Sequence, residues 1–170
     1  MFDVGLYIKG TEFGRLHVVQ ARLPSVYNRN SERRSNRMPA SIELERRLRW
    51  ADSDAAGRLH FPRIFEIVEE AESELVRKIG WPMNRSMGYD FPRVNVECNF
   101  IKVLELDALF RLRLTVGKLG RTSIRYEFKV FNVADELAIQ GTMTLVVLQN
   151  GKPAEIPTTL RTALESETFA

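Results

Sequence analysis

The segment of residues 50–66, WADSDAAGRLHFPRIFE, holds the side chains best suited to chemistry. Asp52 and Asp54 stand in a glycine-containing loop that leads into a predicted helix N-terminus, where free backbone N–H groups carry partial positive charge. Such groups stabilise an oxyanion that develops on a carbonyl, and a nearby carboxylate can attack the carbonyl or activate water. The combination suits acyl hydrolysis. Taken alone, the residues favour a simpler interpretation, in which both aspartates only cap loop N–H groups.

Other chemistries lack the residues they need. The start DSDAAG matches an EF-hand loop, but Ala56 and Arg63 occupy its fifth and twelfth positions, where calcium requires oxygen ligands. His60 and the sole cysteine, Cys98, lie about 40 positions apart, which is not a zinc spacing. The chain also has no G-x-S-x-G and no P-loop. We therefore predict no metal site, and serine-type hydrolysis and nucleotide phosphate transfer have no support.

The elements on either side must position this loop. Alternation over residues 42–50 predicts a strand with one wet face. Pro62 suits the first position of a helix, which we expect to run for about five turns and to stop at Gly80. Its apolar stripe comprises Ile64, Phe65, Val68, Ala71, Leu75 and Ile79, whereas Glu66, Glu70, Glu72 and Glu74 are predicted to lie largely elsewhere.

The rest of the chain reads as strands. After a loop at 81–89, alternating segments predict strands at 91–104, 108–117, 122–133 and 138–148, followed by a short helix within 157–165. A strand, one long helix and then a run of strands is an α+β order. A five-stranded antiparallel sheet wrapped around the helix would cover the apolar stripe.

Composition and charge limit the functional classes. With 170 residues, 44% hydrophobic and 28% charged, the chain suits one domain. We expect a cytoplasmic protein without membrane association, because no apolar run reaches about 18 residues, no secretory signal is visible and one cysteine cannot form an intrachain disulfide.

The net charge of +3 is unevenly placed. Residues 1–40 hold seven basic and three acidic side chains, so the remainder is nearly neutral. We predict that residues 1–41 form an arm and polar linker, partly disordered, with no nucleic-acid partner, and that residues 42–170 form the domain. Met38 could be an alternative translation start.

The segment after Trp50 resembles the signature of hotdog-fold thioesterases of the 4-hydroxybenzoyl-CoA thioesterase type, which include the YbgC-like acyl-CoA thioesterases. That signature is an aromatic residue, then D-x-D-x-x-G, then aromatic or histidine positions that open a long helix. In this sequence the aromatic residue is Trp50, the D-x-D-x-x-G is Asp52 to Gly57, and the positions before the helix are His60-Phe61-Pro62. The resemblance covers about residues 42–165. It implies the hotdog fold, an acyl-CoA substrate, no separate cofactor, and a homodimer or homotetramer with active sites between subunits.

The resemblance also implies roles for individual residues. Asp54 would be the catalytic carboxylate, acting as nucleophile or as base for water, and the Phe61 N–H would bind the thioester oxygen. Gly57 would let the loop approach the substrate. His60 stands one position before the site where close relatives carry histidine, so it either assists catalysis or only caps or packs.

Three further residues are candidates for substrate binding. Glu69 falls where the 4-hydroxybenzoyl-CoA enzyme has a helix acid that contacts the substrate hydroxyl, but it could also be an ordinary surface charge. Arg121 and Lys118 belong to a turn that resembles the family's basic turn, where cations would contact the phosphates of coenzyme A. The alternative functions are a hotdog dehydratase and a non-catalytic acyl-CoA-binding protein.

Overall fold

The computed structural model describes residues 39–81 and 88–166, and it confirms the predicted α+β architecture. A five-stranded, fully antiparallel sheet has the order β1-β4-β5-β6-β3, and a small second sheet has the order β2-β7-β8. In chain order the elements are β1 (Ser41–Arg47), α1 (Arg63–Lys78), β2 (Tyr89–Asp90), β3 (Arg93–Phe100), β4 (Leu109–Leu119), β5 (Ser123–Asn132), β6 (Leu137–Val146), β7 (Leu148–Gln149), β8 (Lys152–Pro153) and α2 (Thr158–Leu164).

Helix α1 packs its apolar stripe against one face of the large sheet. Apolar residues three and four positions apart lie on one side of the helix, and alternate residues of a strand lie on one face of the sheet. These two apolar surfaces are buried against each other. Each large apolar side chain that is removed from water contributes about 1.5–3 kcal/mol. The fully buried residues at this contact include Ile64, Val68, Ala71 and Leu75 from α1 and Leu112, Leu114, Tyr126, Phe128 and Val130 from the sheet.

The prediction for Glu72 was wrong. This side chain is fully buried on the inner side of α1, together with Ile67 and Val76, whereas Phe65 and Ile79 of the predicted stripe are only half-buried. Position 72 follows Val68 by four residues, so helical geometry places it on the apolar side whatever its chemical type. A buried carboxylate needs a partner, and Glu72 has one in Arg93.

Two predicted strands end early beside the loop of interest. Strand β1 stops at Arg47, and Trp50–Asp52 form a single 3-10 turn. Strand β3 stops at Phe100, where the N–H groups of Ile101 and Lys102 both donate to the carbonyl of Ala138, at 2.8 and 2.9 Å. Segments without regular secondary structure therefore follow β1 and β3 at the same end of the sheet.

The two edge strands of the large sheet, β1 and β3, differ in the burial of their side chains. On β1 the inward-facing side chains pack against the core. On β3 the predicted apolar residues Val94, Val96 and Phe100 are exposed, and only Cys98 is half-buried. Burial raises the pKa of the Cys98 thiol to about 11, which keeps it protonated at neutral pH.

The first and last described segments meet. The N–H of Ala40 donates to the carbonyl of Leu164 in α2 at 3.1 Å, and the carbonyl of Ala40 accepts the Val116 N–H at 3.0 Å. The sheet therefore begins at Ser41, beside a buried Ala40, so the last residues of the predicted arm belong to the domain. Residues 1–38 of that arm lie outside the described residues. In the described ranges, no helix is long and apolar enough to cross a bilayer.

Candidate active site

The loop of residues 50–62 connects β1 to α1 and is tied to the chain that follows β3. The N–H of Leu59 donates to the carbonyl of Leu104 at 2.9 Å, and the N–H of Leu106 donates to the carbonyl of Gly57 at 2.8 Å. Within the loop, the His60 N–H donates to the carbonyl of Asp52 at 2.9 Å. These backbone bonds fix the position of the two aspartates relative to the end of β3.

Asp54 has one occupied and one free carboxylate oxygen. Its Oδ1 accepts the N–H groups of Ala56 at 2.9 Å and Arg58 at 3.0 Å. Its Oδ2 has no hydrogen-bond partner among the described residues, and the side chain is exposed. The capping interpretation is therefore correct for Oδ1, while Oδ2 stays available for a reaction.

Asp54 lines an open pocket of about 210 Å³. Most of the other side chains around this pocket are apolar, and two are cationic. They are Leu59, Phe100, Ile101, Val103, Leu104 and Ile139, with Arg58 and Lys102. These walls could hold an apolar group next to the Asp54 side chain.

Asp52, two residues earlier, has the opposite environment. It is buried, and its Oδ2 and Oδ1 accept Nε and Nη2 of Arg49 at 2.8 and 3.2 Å. This hydrogen bonding to Arg49 holds the pKa of the Asp52 carboxyl below its usual range. Asp52 therefore stabilises the conformation of the loop.

A backbone donor without an acceptor lies just before α1 among the described residues. Pro62 directly precedes the helix, and the His60 carbonyl accepts the Arg63 N–H at 2.9 Å. The Phe61 N–H has no acceptor in the part of the chain that the structure describes. An N–H without a partner at a helix N-terminus can bind a developing negative charge.

The side chains of His60 and Phe61 lie on the surface. Their rings meet edge to face, with centroids 5.5 Å apart, and 64% of Phe61 is exposed. The backbone of Gly57 has a φ of +71°, and a Cβ there would meet nothing within 4 Å. Its conformation favours glycine at this position.

The remaining predicted site residues lie elsewhere in the single chain. Glu69 is an exposed residue of α1 that pairs with Nε of Arg93 at 2.9 Å and lines a separate groove of about 670 Å³ along β1. Lys118 and Arg121 are exposed at the far end of β4, about 30 Å from the loop by strand length. The Nη1 of Arg121 contacts Glu155 at 3.2 Å.

Sequence reasoning missed part of the pocket wall and one charged cluster. The alternation predicts a strand that includes the wall residues 101–104, although Ile101 next to Phe100 breaks the pattern. The cluster consists of Glu69, Glu72 and Arg93. Arg93 is 21 positions from Glu72, so no local pattern pointed to their contact.

Comparison with known proteins identifies the family. A sequence model of the thioesterase superfamily matches residues 56–139, a range that begins just after Asp54. A putative esterase from Aquifex aeolicus is 32% identical over 114 residues, which are 66% of this chain and 88% of that protein.

Solved structures have the same fold. A hypothetical protein from Aquifex aeolicus superposes with a TM-score of 0.69 and 28% identity, over 72% of this chain and 98% of that one. A 4-hydroxybenzoyl-CoA thioesterase superposes with a TM-score of 0.68 and 18% identity, over 74% and 99% of the two chains. The predicted family and hotdog fold are confirmed: the chain belongs to the thioesterase superfamily.

Proposed function

We propose that this protein hydrolyses an acyl-CoA thioester to a free acid and coenzyme A, with Asp54 as nucleophile or general base. The observation that carries the proposal is that Asp54 lines a largely apolar pocket and has an Oδ2 without a hydrogen-bond partner among the described residues, beside an Asp52 that is fully paired. The reaction requires no metal or separate cofactor, since coenzyme A is part of the substrate. A reducing, cytoplasmic location belongs to the same proposal.

Two routes lead to the same products. As a base, Asp54 takes a proton from water while the water oxygen attacks the thioester carbonyl. As a nucleophile, its oxygen attacks the carbonyl to form an anhydride, which water then cleaves. In both routes the C–S bond breaks, the thiolate of coenzyme A leaves and takes up a proton, and the Phe61 N–H stabilises the oxyanion.

A structural neighbour supports a role for a carboxylate. The 4-hydroxybenzoyl-CoA thioesterase was crystallised with 4-hydroxybenzoyl-CoA as a mutant in which one aspartate is replaced by asparagine. We propose that Asp54 acts on this chain's substrate as a carboxylate of the same kind.

The test is a thiol-release assay with a panel of acyl-CoAs that differ in chain length and aromaticity. We expect free thiol and free acid in equal amounts from at least one of them. Binding without thiol release would favour the non-catalytic acyl-CoA-binding alternative. Reversible loss of water from a 3-hydroxyacyl-CoA without thiol release would favour the dehydratase alternative, in which His60 would assist Asp54.

We further propose that two copies pair through β3. This strand is an unpaired edge with exposed Val94, Val96 and Phe100, and such an edge favours antiparallel addition of another strand. A two-fold axis across β3 would bring the pocket end of one chain, at Phe100, to the Arg93 end of the other. The same axis would bring the turn with Lys118 and Arg121 of the partner subunit to the level of Asp54.

A charge on the β3 edge should break this assembly. We expect the unmodified protein to be a dimer or tetramer at micromolar concentration, and Val96→Lys to shift it toward monomer in light scattering. Val133→Lys is the matched control, because Val133 is also exposed but lies in the turn after β5. A monomeric unmodified protein, or equal effects of both variants, would contradict pairing through β3.

Arg121 should act on substrate binding. The phosphates of coenzyme A remain bound through the reaction, so Arg121→Ala should raise KM by about tenfold and change kcat little. Lys118→Ala should have a smaller effect of the same kind. If Arg121 serves only its ion pair with Glu155, then Arg121→Ala should leave KM unchanged.

A further inference from the structure

Arg93 occupies an irregular position at the start of β3. The register of β3 against β6 shifts between Arg93, which pairs with Leu145, and Asn95, which pairs with Thr144. Two residues of β3 thus correspond to one of β6, and a bulge of this kind changes the direction of a side chain. Arg93 reaches the carboxylates of Glu69 and Glu72 on α1.

The guanidinium of Arg93 is held on three sides. Its Nε pairs with Oε1 of Glu69 at 2.9 Å, and its Nη2 donates to Oε2 of Glu72. Its Nη1 donates to the carbonyl of Phe91 at 3.0 Å. Because a guanidinium is planar and its donors are fixed in direction, three such contacts define its position.

Glu72 is an unusual residue for a helix core. It is fully buried, and its Oε1 has no hydrogen-bond partner among the described residues. The titratable groups that act on it are Glu69 on α1, Arg93 on β3 and Tyr126 on β5. Burial raises the pKa of Glu72 to about 7, with Arg93 opposing the rise and Glu69 adding to it. The carboxyl thus changes charge near neutral pH.

Apolar side chains in place of both Glu72 and Arg93 could fill this position without loss of stability. Replacement of a buried ion pair by apolar residues of similar volume is often neutral or stabilising. The acid is therefore poorly explained by stability, whereas orientation of Arg93 explains both the acid and the bulge opposite it.

We propose that Glu72 is a positioning residue of the thioesterase site: its ionised carboxylate holds Arg93, and Arg93 fixes the carboxylate of Glu69 and the start of β3 against α1. This inference rests on the proposed function, on the pairing through β3 that would bring the Arg93 end of one chain to the pocket end of its partner, and on the contact between Glu69 and the acyl group that the family resemblance implies. The Oε2 of Glu69 has no hydrogen-bond partner in the described ranges, so it is free for that contact. With Glu72 protonated, Arg93 keeps only Glu69 and the Phe91 carbonyl as strong acceptors.

The test compares pH profiles of kcat/KM between pH 5.5 and 8.5. We use the acyl-CoA that the unmodified protein hydrolyses best. Glu72→Gln keeps the size of the side chain and mimics its protonated form at every pH. In the unmodified protein kcat/KM should rise as Glu72 ionises around pH 7. Glu72→Gln should lack this rise, so that it is about tenfold less active at pH 8 and nearly equal at pH 6.

Two further variants make the result specific. Glu74→Gln is the matched control, because Glu74 lies on the same helix but pairs with Arg77 at the surface, and its profile should follow the unmodified protein. Arg93→Gln should also lack the rise of kcat/KM around pH 7. If Glu72→Gln fails to fold, the pH profile of Arg93→Gln decides the test. Circular dichroism checks the folding of each variant.

The outcomes separate the two proposals. If Glu72→Gln and Arg93→Gln are folded and active but keep the unmodified pH profile, Glu72 is only a structural residue and this inference is overturned, while the proposed function stands. If the unmodified protein releases no thiol from any acyl-CoA, the proposed function is overturned and this inference with it.

Discussion

The two halves of the loop before α1 present the same side chain in opposite settings. Asp52 is buried, and Arg49 takes both of its carboxylate oxygens. Asp54 is exposed and lines the pocket, uses one oxygen to accept two backbone N–H groups, and has no partner for the other oxygen among the described residues. The D-x-D spacing alone does not distinguish them. Partners and burial do: one carboxylate holds the loop in shape, which leaves the second in a fixed place for chemistry.

The largest expected effect separates the two aspartates by turnover. Asp54→Asn keeps size and shape but removes the charge, so it should remain folded and lower kcat by about 10²–10⁴-fold, the range that a positioned acid–base group supplies. KM should change little, since the proposed phosphate contacts and the Phe61 N–H remain. Steady-state thiol release measures both constants.

Asp52→Asn is the internal control for that experiment. It changes the same chemical group in the same loop, but its expected effect is on stability, and kcat should fall much less. Similar losses of kcat in both variants, with equal thermal destabilisation, would show that both aspartates only cap N–H groups of the loop.

A smaller effect should appear in the pH dependence of stability. The pKa of Asp52 is lowered in the folded state, so its ion pair contributes stability above the usual aspartate pKa and loses it as the pH falls through the lowered value. Asp52→Asn should therefore reduce the free energy of unfolding by about 1–2 kcal/mol at pH 7, and by less at about pH 3.

Thermal melts at the two pH values measure this difference. Asp54→Asn serves as the comparison and should show a smaller change in melting temperature at pH 7. A pH-independent loss for Asp52→Asn would mean that packing, rather than its charge, accounts for its contribution.

The smallest expected effect concerns the side chain of Phe61. Its N–H is the proposed oxyanion donor, and its ring is largely exposed. Phe61→Ala keeps the N–H, so kcat should stay within about threefold of the unmodified value, against the 10²–10³-fold typical of a lost oxyanion donor. A loss of that larger size, measured in the same assay, would assign a catalytic role to the ring.

Much of the fold was predictable because periodicity reports which side of an element is buried. The alternation of Leu112 and Leu114 with Arg111 and Arg113 predicted a strand with one buried face, which β4 confirms. Glu72 shows the limit of the method. Its spacing from Val68 placed it on the buried side, but its charge argued for the surface, and the deciding partner, Arg93, is distant in sequence.

The candidate site was predictable only in part for the same reason. The residue type and motif position of Asp54 pointed to a reactive carboxylate. Its pocket, however, is assembled from residues 100–104 and from Ile139, which lie far along the chain and are brought together by the pairing of β3 with β6. Arg49, three residues before Asp52, was the one local signal for the different roles of the two aspartates.

The hydrogen bond between Ala40 and Leu164 has a practical consequence. It places the two ends of the described domain side by side, so a linker of about four to six residues could join residue 166 to residue 39. A circularly permuted chain could then open in the turn after β5, at Val133 and Ala134, without removing a strand from the sheet. In the natural order, fusion partners attached at the two ends of this domain would leave it from the same place.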